Sequence, residues 1–331
     1  MISQQGRVLS RICIVGGAGF IGSHFVDRLL DSPGTDSVTV FDNFSSGREW
    51  HLHGHAADPR LRVVRGDAAD LDSVTSAVTG NDTVIHLASN PDIARAVVEP
   101  AIDFDSGTLL THRVLEAMRL SGATRIVYAS GSGIYGDLGD VEVDEDHGPL
   151  SPISTYGASK LAGEALISAY CHMFDLSGYV FRFGNVVGPR QTHGVGYDFI
   201  RRLSSNPGHL RVLGDGRQSK SYIHVADVVE AVMLAAARSS GAVATYNVAT
   251  GDYMTVSEIA HMVIEAMGLD PQTTKLEFTD SDRGWKGDIP VVRLSTKRLR
   301  DLGWTNAMST RVAMRASLES ILQDATSGRI S

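Results

Sequence analysis

Cysteine and tryptophan are scarce in this chain of 331 residues, cations are outnumbered, and no long apolar run interrupts it. Two cysteines, Cys13 and Cys171, cannot build a disulfide framework or a thiolate zinc site. A small secreted scaffold is thereby excluded. Nothing approaches the roughly 18 consecutive apolar residues of a membrane-spanning helix, so no membrane partner is expected. The opening MISQQGRVLSR lacks an apolar stretch before a small-residue cleavage site, so a cytoplasmic location is expected. Thirty basic against 38 acidic residues give a net charge of −8. General nucleic-acid binding, which needs clustered Lys and Arg, is excluded on that balance. His51, His53 and His55 alternate in a polar segment. A metal site there is the alternative to plain solvation, and no metal is expected. What remains is an ordinary globular composition, 43% hydrophobic and 21% charged, with length for about two domains.

Short apolar runs alternate with longer amphipathic stretches in the first half. Strands are expected at 11–15, 38–41, 61–65, 83–87, 125–129 and 178–183. Helices are expected at Phe20–Leu30, 70–78, 105–120 and 155–174. Such alternation predicts an α/β fold, a Rossmann-type doubly wound parallel sheet. Beyond Asn185 the segments shorten and Gly and Pro punctuate them, with helices expected near 197–204, 225–237, 255–267 and 309–323. We therefore expect a dinucleotide-binding domain at 1–184, joined by some later segments, and a smaller substrate-binding domain built mostly from 185–331. The tail Ala325–Ser331 reads as frayed.

Two motifs carry chemistry. Gly16-Gly17-Ala18-Gly19-Phe20-Ile21-Gly22 follows a strand and opens a helix, and Asp42 ends the second strand 20 residues after Gly22. Glycines let a pyrophosphate approach the free N–H groups of a helix N-terminus. A carboxylate at the second strand end accepts from a ribose diol and repels a 2′-phosphate, favouring NAD over NADP. A capping loop that binds nothing is the plainer reading, and the acid in register speaks against it. The second motif is Tyr156-Gly157-Ala158-Ser159-Lys160, which places a phenol and an ammonium on one helix face. A neighbouring ammonium and a cationic nicotinamide ring would favour the phenolate. The plainer reading is a surface pair, and its position after a fifth strand ending in Ser130-Gly131-Ser132 speaks against that.

With these motifs the chain resembles the extended short-chain dehydrogenases/reductases, within the nucleotide-sugar epimerase and dehydratase group, over nearly its whole length. Asp42-Asn43, Ser45-Ser46-Gly47, Gly66-Asp67, His86-Leu87-Ala88, Ile134-Tyr135-Gly136, the run Arg182 to Arg190 and Tyr222 to Val228 carry the resemblance further. The stretches Gly214 to Tyr222 and Arg283 to Asp288 look most like UDP-glucose 4-epimerases. The resemblance implies that Gly16, Gly19, Phe20, Ile21 and Gly22 hold the NAD pyrophosphate. Asp42 would hold the adenosine ribose, with Asn43, Ser45, Ser46 and Gly47 nearby, and Asp67 and Ala68 would flank adenine. Leu87, Ala88 and Ser89 would line the ribose path, with Phe183 and Val186 as further cofactor contacts. Tyr156 would be the catalytic base, and Lys160 would bind the nicotinamide ribose and tune it. Asn185, Arg190, Gln191, Val195, Tyr197, Lys220, Tyr222 and Arg283 would contact a nucleoside-diphosphate sugar. For the cations, plain solvation is an equal reading.

Two departures from the family pattern stand out. The Ser or Thr that the family carries 25 residues before the tyrosine is Gly131 here, so Ser130 or Ser132 is expected to supply the hydroxyl to the substrate. Dehydratases of the group carry Asp-Glu just after it, where this chain has Ser132-Gly133. Phe104 stands where an Asn cofactor contact is expected. His86 reads as a packed core histidine. The implied activity is NAD-dependent 4-epimerisation of a UDP-hexose. Another NAD-dependent change on a nucleotide sugar, and a catalytically silent NAD-binding regulator, are the alternatives. Apolar stripes on the helices after strands four and five (Leu109, Leu110, Val114, Leu115, Met118; Leu161, Ala165, Leu166, Ala169) read as sheet packing, and by resemblance as a homodimer interface.

Overall fold

The structure, a computed structural model, describes residues 9–329. The expectations for the N-terminal leader, and for the last two residues of the tail, lie outside them. Seven parallel strands form the central sheet: β1 (Arg11–Val15), β2 (Ser37–Asp42), β3 (Leu61–Arg65), β4 (Thr83–His86), β5 (Arg125–Gly131), β6 (Ser177–Phe183) and β7 (Val243–Val248). Their order is β7-β6-β5-β4-β1-β2-β3, a Rossmann-like arrangement that reverses direction between β1 and β4.

Period-two alternation sorts the strand side chains between two cores. Ile12 and Ile14 of β1 face one side, where α1 (Phe20–Leu30) contributes Phe25, Val26 and Leu29. Cys13 and Val15 face the other, against Val74 and Val78 of α2 (Leu71–Val78), Val114, Leu115 and Met118 of α3 (Leu110–Ser121), and Ile167 of α4 (Thr155–Met173). Both faces are covered, so the central strands are largely apolar, with a few buried polar exceptions such as Thr39, Thr83 and His86. At the edge, β3 is largely exposed and carries Arg62 and Arg65.

Past residue 184 the chain builds a third core. Phe199 and Leu203 of α5 (Val195–Ser205) meet Ile259 and Val263 from Val256–Ala266 and Leu318 from Thr310–Thr326. It also returns to the sheet: α6 (Val225–Arg238) packs Val228, Val229 and Val232 against the α1 side, and β7 pairs along the length of β6. The helix expected to end near 323 runs to Thr326, so Ala325 and Thr326 belong to it. The helix expected at 105–120 starts at Ala101 and passes through a wide π turn at Phe104–Leu109 before α3. Gly107 sits in that turn, where a Cβ would lie 2.5 Å from the Ser159 hydroxyl of α4.

One buried side chain ties the returning strand to the rest. The Asn247 amide, fully buried on β7, accepts from the Tyr135 hydroxyl at 2.8 Å and donates to the Val143 and Ser295 carbonyls, each at 3.1 Å. Each buried group left unpaired costs about 1–3 kcal/mol. Asn247→Ala is therefore expected to lose about 3 kcal/mol of stability, read as a lower urea midpoint at unchanged slope.

Candidate functional site

A cleft of about 940 Å³ opens at the carboxyl ends of the strands, at the reversal between β1 and β4. One half is built from the glycine loop. Gly16 has φ +86°, and a Cβ there would lie 2.8 Å from the Ala88 nitrogen; at Gly22 it would lie 2.3 Å from the Gly16 carbonyl oxygen. Only glycine permits that closeness. Gly19 caps α1 with no side-chain hydrogen bond and no acid stands in the first turn, so the amides of Phe20, Ile21 and Gly22 face the cleft without a side-chain partner. That is the donor set an anionic pyrophosphate needs.

Asp42 lies on the cleft wall at the end of β2. Its carboxylate accepts from the Ala18 amide at 2.9 Å and the Phe44 amide at 2.8 Å. Burial raises its pKa and the two amides pull it back. Asp42 thus fixes both loops beside the crevice while lining it. Asn43 donates to Asp67 at 3.4 Å, and Ser45, Ser46, Ala68, Leu87, Ala88 and Ser89 line the same half. Gly47 does not line the cleft: it lies under the loop, where a Cβ would be 3.0 Å from that of Ala18. An uncapped helix end, a cradle closed to side chains and a carboxylate at the strand end fit a dinucleotide.

Tyr156 and Lys160 lie together in the middle of the cleft. Ser154 caps α4 by accepting from the Gly157 amide at 3.0 Å, which sets Tyr156 in the first turn and Lys160 one turn on. Lys160 is 3% exposed and donates to the Ala129 carbonyl at the end of β5 at 2.7 Å. Burial lowers its pKa to about 8, although Asp103 and Glu164 pull the other way. Its ammonium stands 5.5 Å from the centre of the Tyr156 ring. Burial, with Asp103, holds the Tyr156 phenol up at about 12, and only Ser89 draws it down. The lysine alone therefore does not produce the phenolate that the motif suggests; a further positive charge has to come beside the ring.

Asp103 was not singled out by any motif. Its buried carboxylate accepts from Asn90 at 2.9 Å and from Thr155, next to Tyr156, at 2.7 Å. Phe104 beside it, at the position where an Asn is expected, is 57% exposed and does not line the cleft. His86 is packed as expected, its Nε2 3.0 Å from the Thr111 hydroxyl; burial lowers its pKa to about 3.

The three residues ending β5 differ in what they offer. The Ser130 hydroxyl donates to Glu164 at 2.5 Å, and Glu164 is paired with buried Arg182 at 2.8 Å. Ser130 also lines the cleft, but its hydroxyl proton is engaged by Glu164. Gly131 has open space where a side chain would be, with nothing within 4 Å of its Cβ position. Ser132 lines the cleft.

In the other half, Phe183, Asn185, Val186, Gln191, Val195, Lys220 and Tyr222 line the wall. Gln191 has its oxygen engaged by Ser317 at 2.9 Å, and Lys220 is paired with Asp288 at 2.6 Å. Arg190, Tyr197 and Arg283 do not reach the cleft. Arg190 turns back to Asp27 of α1 at 2.8 Å, Tyr197 packs on the third core under Arg201, and Arg283 is held by Asp137 at 2.5 Å. Trp285 and Gln218 line it instead. Among the described residues no group of three potential metal ligands occurs, and His51 and His55 bond separately to the Ala18 carbonyl and to Asp27.

Residues 12–249 match the family model described as the NAD dependent epimerase/dehydratase family. The UDP-glucose 4-epimerase of Mycolicibacterium smegmatis is 34% identical over 301 residues, covering 89% of this chain and 93% of that one. The crystal structure of the Thermus thermophilus UDP-glucose 4-epimerase in complex with NAD superimposes with a TM-score of 0.82 at 32% identity, over 94% of this chain and 99% of that one. A dTDP-glucose 4,6-dehydratase from Streptomyces venezuelae, solved with NAD bound, gives 0.87 at 27% identity, over 96% and 98%. The glycine cradle, the half-buried Tyr156 beside buried Lys160 and these matches agree: the chain belongs to the NAD-dependent epimerase/dehydratase family and uses NAD.

Proposed function

We propose that the protein is an NAD-dependent 4-epimerase of a nucleoside-diphosphate hexose, of the UDP-glucose/UDP-galactose type. The observation that carries this reading is the company Tyr156 and Lys160 keep: a phenol and an ammonium face the cleft, and Ser132-Gly133 beside them offers no acid for eliminating water. Bound NAD would supply the redox chemistry, accepting hydride from C4 of the sugar as NAD⁺ and returning it as NADH, so that no external oxidant is consumed. Tyr156 takes the C4 hydroxyl proton and returns it after the 4-keto sugar has turned. Its high pKa in the protein alone means that it acts as a base only beside the cationic nicotinamide. Lys160, fixed by the Ala129 carbonyl, orients the nicotinamide ribose. Ser132 replaces the missing hydroxyl at Gly131, since Ser130 is engaged by Glu164. Lys220 and Asn185 are assigned to the substrate diphosphate.

The open space at Gly131 favours a second reading, a related NAD-dependent change on a bulkier nucleotide sugar such as a uronic acid or N-acetylhexosamine. Purified protein incubated with UDP-glucose or UDP-galactose, followed by chromatography, separates the two. Interconversion supports the first reading, and its absence with NAD bound overturns it. Tyr156→Phe is expected to lower turnover by at least about 100-fold with NAD still bound by absorbance. Surviving activity would reject Tyr156 as base. Ser132→Ala is expected to lower kcat about tenfold or more and Gly131→Ser to restore it; wild-type turnover in Ser132→Ala rejects the replacement.

We also propose a homodimer through α3 and α4. Val114, Leu115 and Met118 are spent on the sheet, but Ala165 and Ala169 are exposed on α4, with Met173 70% and Leu120 55% exposed at the helix ends. Ala169→Arg should convert a dimer to a monomer in light scattering at unchanged melting of the monomer; a wild-type monomer sinks the idea.

A further inference from the structure

One buried acid beside the reacting pair has only neutral partners. Asp103 is 1% exposed and ends the short helical turn Ala101–Asp103. Its carboxylate accepts from the Asn90 amide at 2.9 Å and from the Thr155 hydroxyl at 2.7 Å, and no cation among the described residues bonds to it. The second acid near the pair, Glu164, is different: buried Arg182 answers it at 2.8 Å. A buried carboxylate without a cation is costly, and the surrounding protein screens its charge weakly.

Its placement aims that charge. Thr155 is the first residue of α4, and Tyr156 follows it. Asn90 lines the cleft, and Ser89 before it faces the Tyr156 hydroxyl. Asp103 therefore joins the cleft wall after β4 to the start of α4, and its charge is felt by both Tyr156 and Lys160. The other ionisable neighbours do not cancel it. The Lys160 ammonium stands 5.1 Å from the centre of the Tyr128 ring of β5, and His86 of β4 packs on that ring. Burial pushes the Tyr128 phenol up and the His86 imidazole down to about 3, so both stay neutral. Asp105 is exposed to solvent, and Asp92 on the cleft wall has His193 and Asp198 as its charged neighbours.

We propose that Asp103 is a positioning residue that sets the charges of the reacting pair: it holds Lys160 as a cation and keeps Tyr156 protonated unless a further cation lies over the phenol. This rests on the reading of Tyr156 as the base of an NAD-dependent reaction. Asp103 takes no proton and touches no reacting atom; it acts through its field. A fixed negative charge stabilises an ammonium and destabilises a phenolate. With that charge removed, both groups give up their protons more readily. Tyr156 then ionises at lower pH, whether or not the cofactor is oxidised.

Asp103→Asn removes the charge, keeps the shape, and leaves an oxygen for Asn90 and an amide to donate to the Thr155 hydroxyl. The test is a pH titration of phenolate absorbance on the NAD⁺-loaded protein without substrate, each protein read against its own Tyr156→Phe variant. The Tyr156 midpoint is expected to fall by about one pH unit in Asp103→Asn. Thr155→Val, which takes away the hydrogen bond and leaves the charge, is expected to keep the wild-type midpoint. A midpoint that stays or rises in Asp103→Asn overturns the proposal, and so does an equal fall in Thr155→Val, which would assign the effect to the brace. Asp103→Ser is the second neutral variant should Asp103→Asn not fold, with the same expectation and the same overturning results. The titration needs no turnover, so it is separate from the reading on which it rests: activity surviving in Tyr156→Phe overturns that reading, and this proposal with it, even where the midpoint falls.

Discussion

The reversal of strand order between β1 and β4 is the constraint on which the rest of the structure depends. Two parallel strands whose connections leave in opposite directions cannot both be covered at their carboxyl ends, so a crevice is unavoidable there. Much of the crevice lining is brought there by the ends of strands, the glycine loop by β1, Asp42 by β2, Ser89 by β4 and Ser132 by β5, while Tyr156 and Lys160 reach it from α4. The close contact of Gly16 with Ala88 joins the two strands that part company. The fold therefore makes the cleft before any side chain gives it a chemistry.

That chemistry depends on keeping water away from two ionisable groups. The same burial that lowers the Lys160 pKa to about 8 raises that of Tyr156 to about 12, so near neutral pH the lysine remains a cation while the tyrosine remains a phenol. Asp103 adds a buried negative charge that favours the lysine cation and opposes the phenolate. The balance then turns on whether a cation sits over the phenol. For the proposed epimerisation, a phenol that becomes a base only beside the oxidised cofactor suits a cycle that holds its intermediate until hydride returns.

Much of this was legible in the residues. Strand and helix alternation through residue 183, the glycine loop with Asp42 in register, and the Tyr156–Lys160 spacing are local patterns. The fold and the cofactor half of the cleft follow from them. What stayed hidden depends on partners far along the chain. The apolar face of α6 looks the same whichever core receives it, so its return to the sheet with β7 was visible only in outline. Ser130 and Ser132 are equivalent on paper, and the proposed choice of Ser132 rests on Glu164, 34 residues along from Ser130, engaging the other hydroxyl. Arg190 in its Gly-Pro-Arg run reads as a substrate cation until Asp27 of α1 is seen to claim it. Nothing in the local pattern separates exposed Phe104 from the buried Asp103 beside it, whose partners Asn90 and Thr155 lie 13 and 52 residues away.

The carboxamide of Asn247 has a consequence for how the molecule comes apart. It holds the segment just after β5 through Tyr135, the short strand at Val143 and the late segment at Ser295, while the Asn247 backbone N–H donates to Glu145 at 2.7 Å. Residues 135–145, which continue the catalytic end of β5, cannot lift away without also releasing the stretch around 295. Early and late parts of the polypeptide thus share one cooperative unit. A chain still emerging in order from its N-terminus would have the glycine loop and the tyrosine in place, yet lack the strand that locks the floor beneath them.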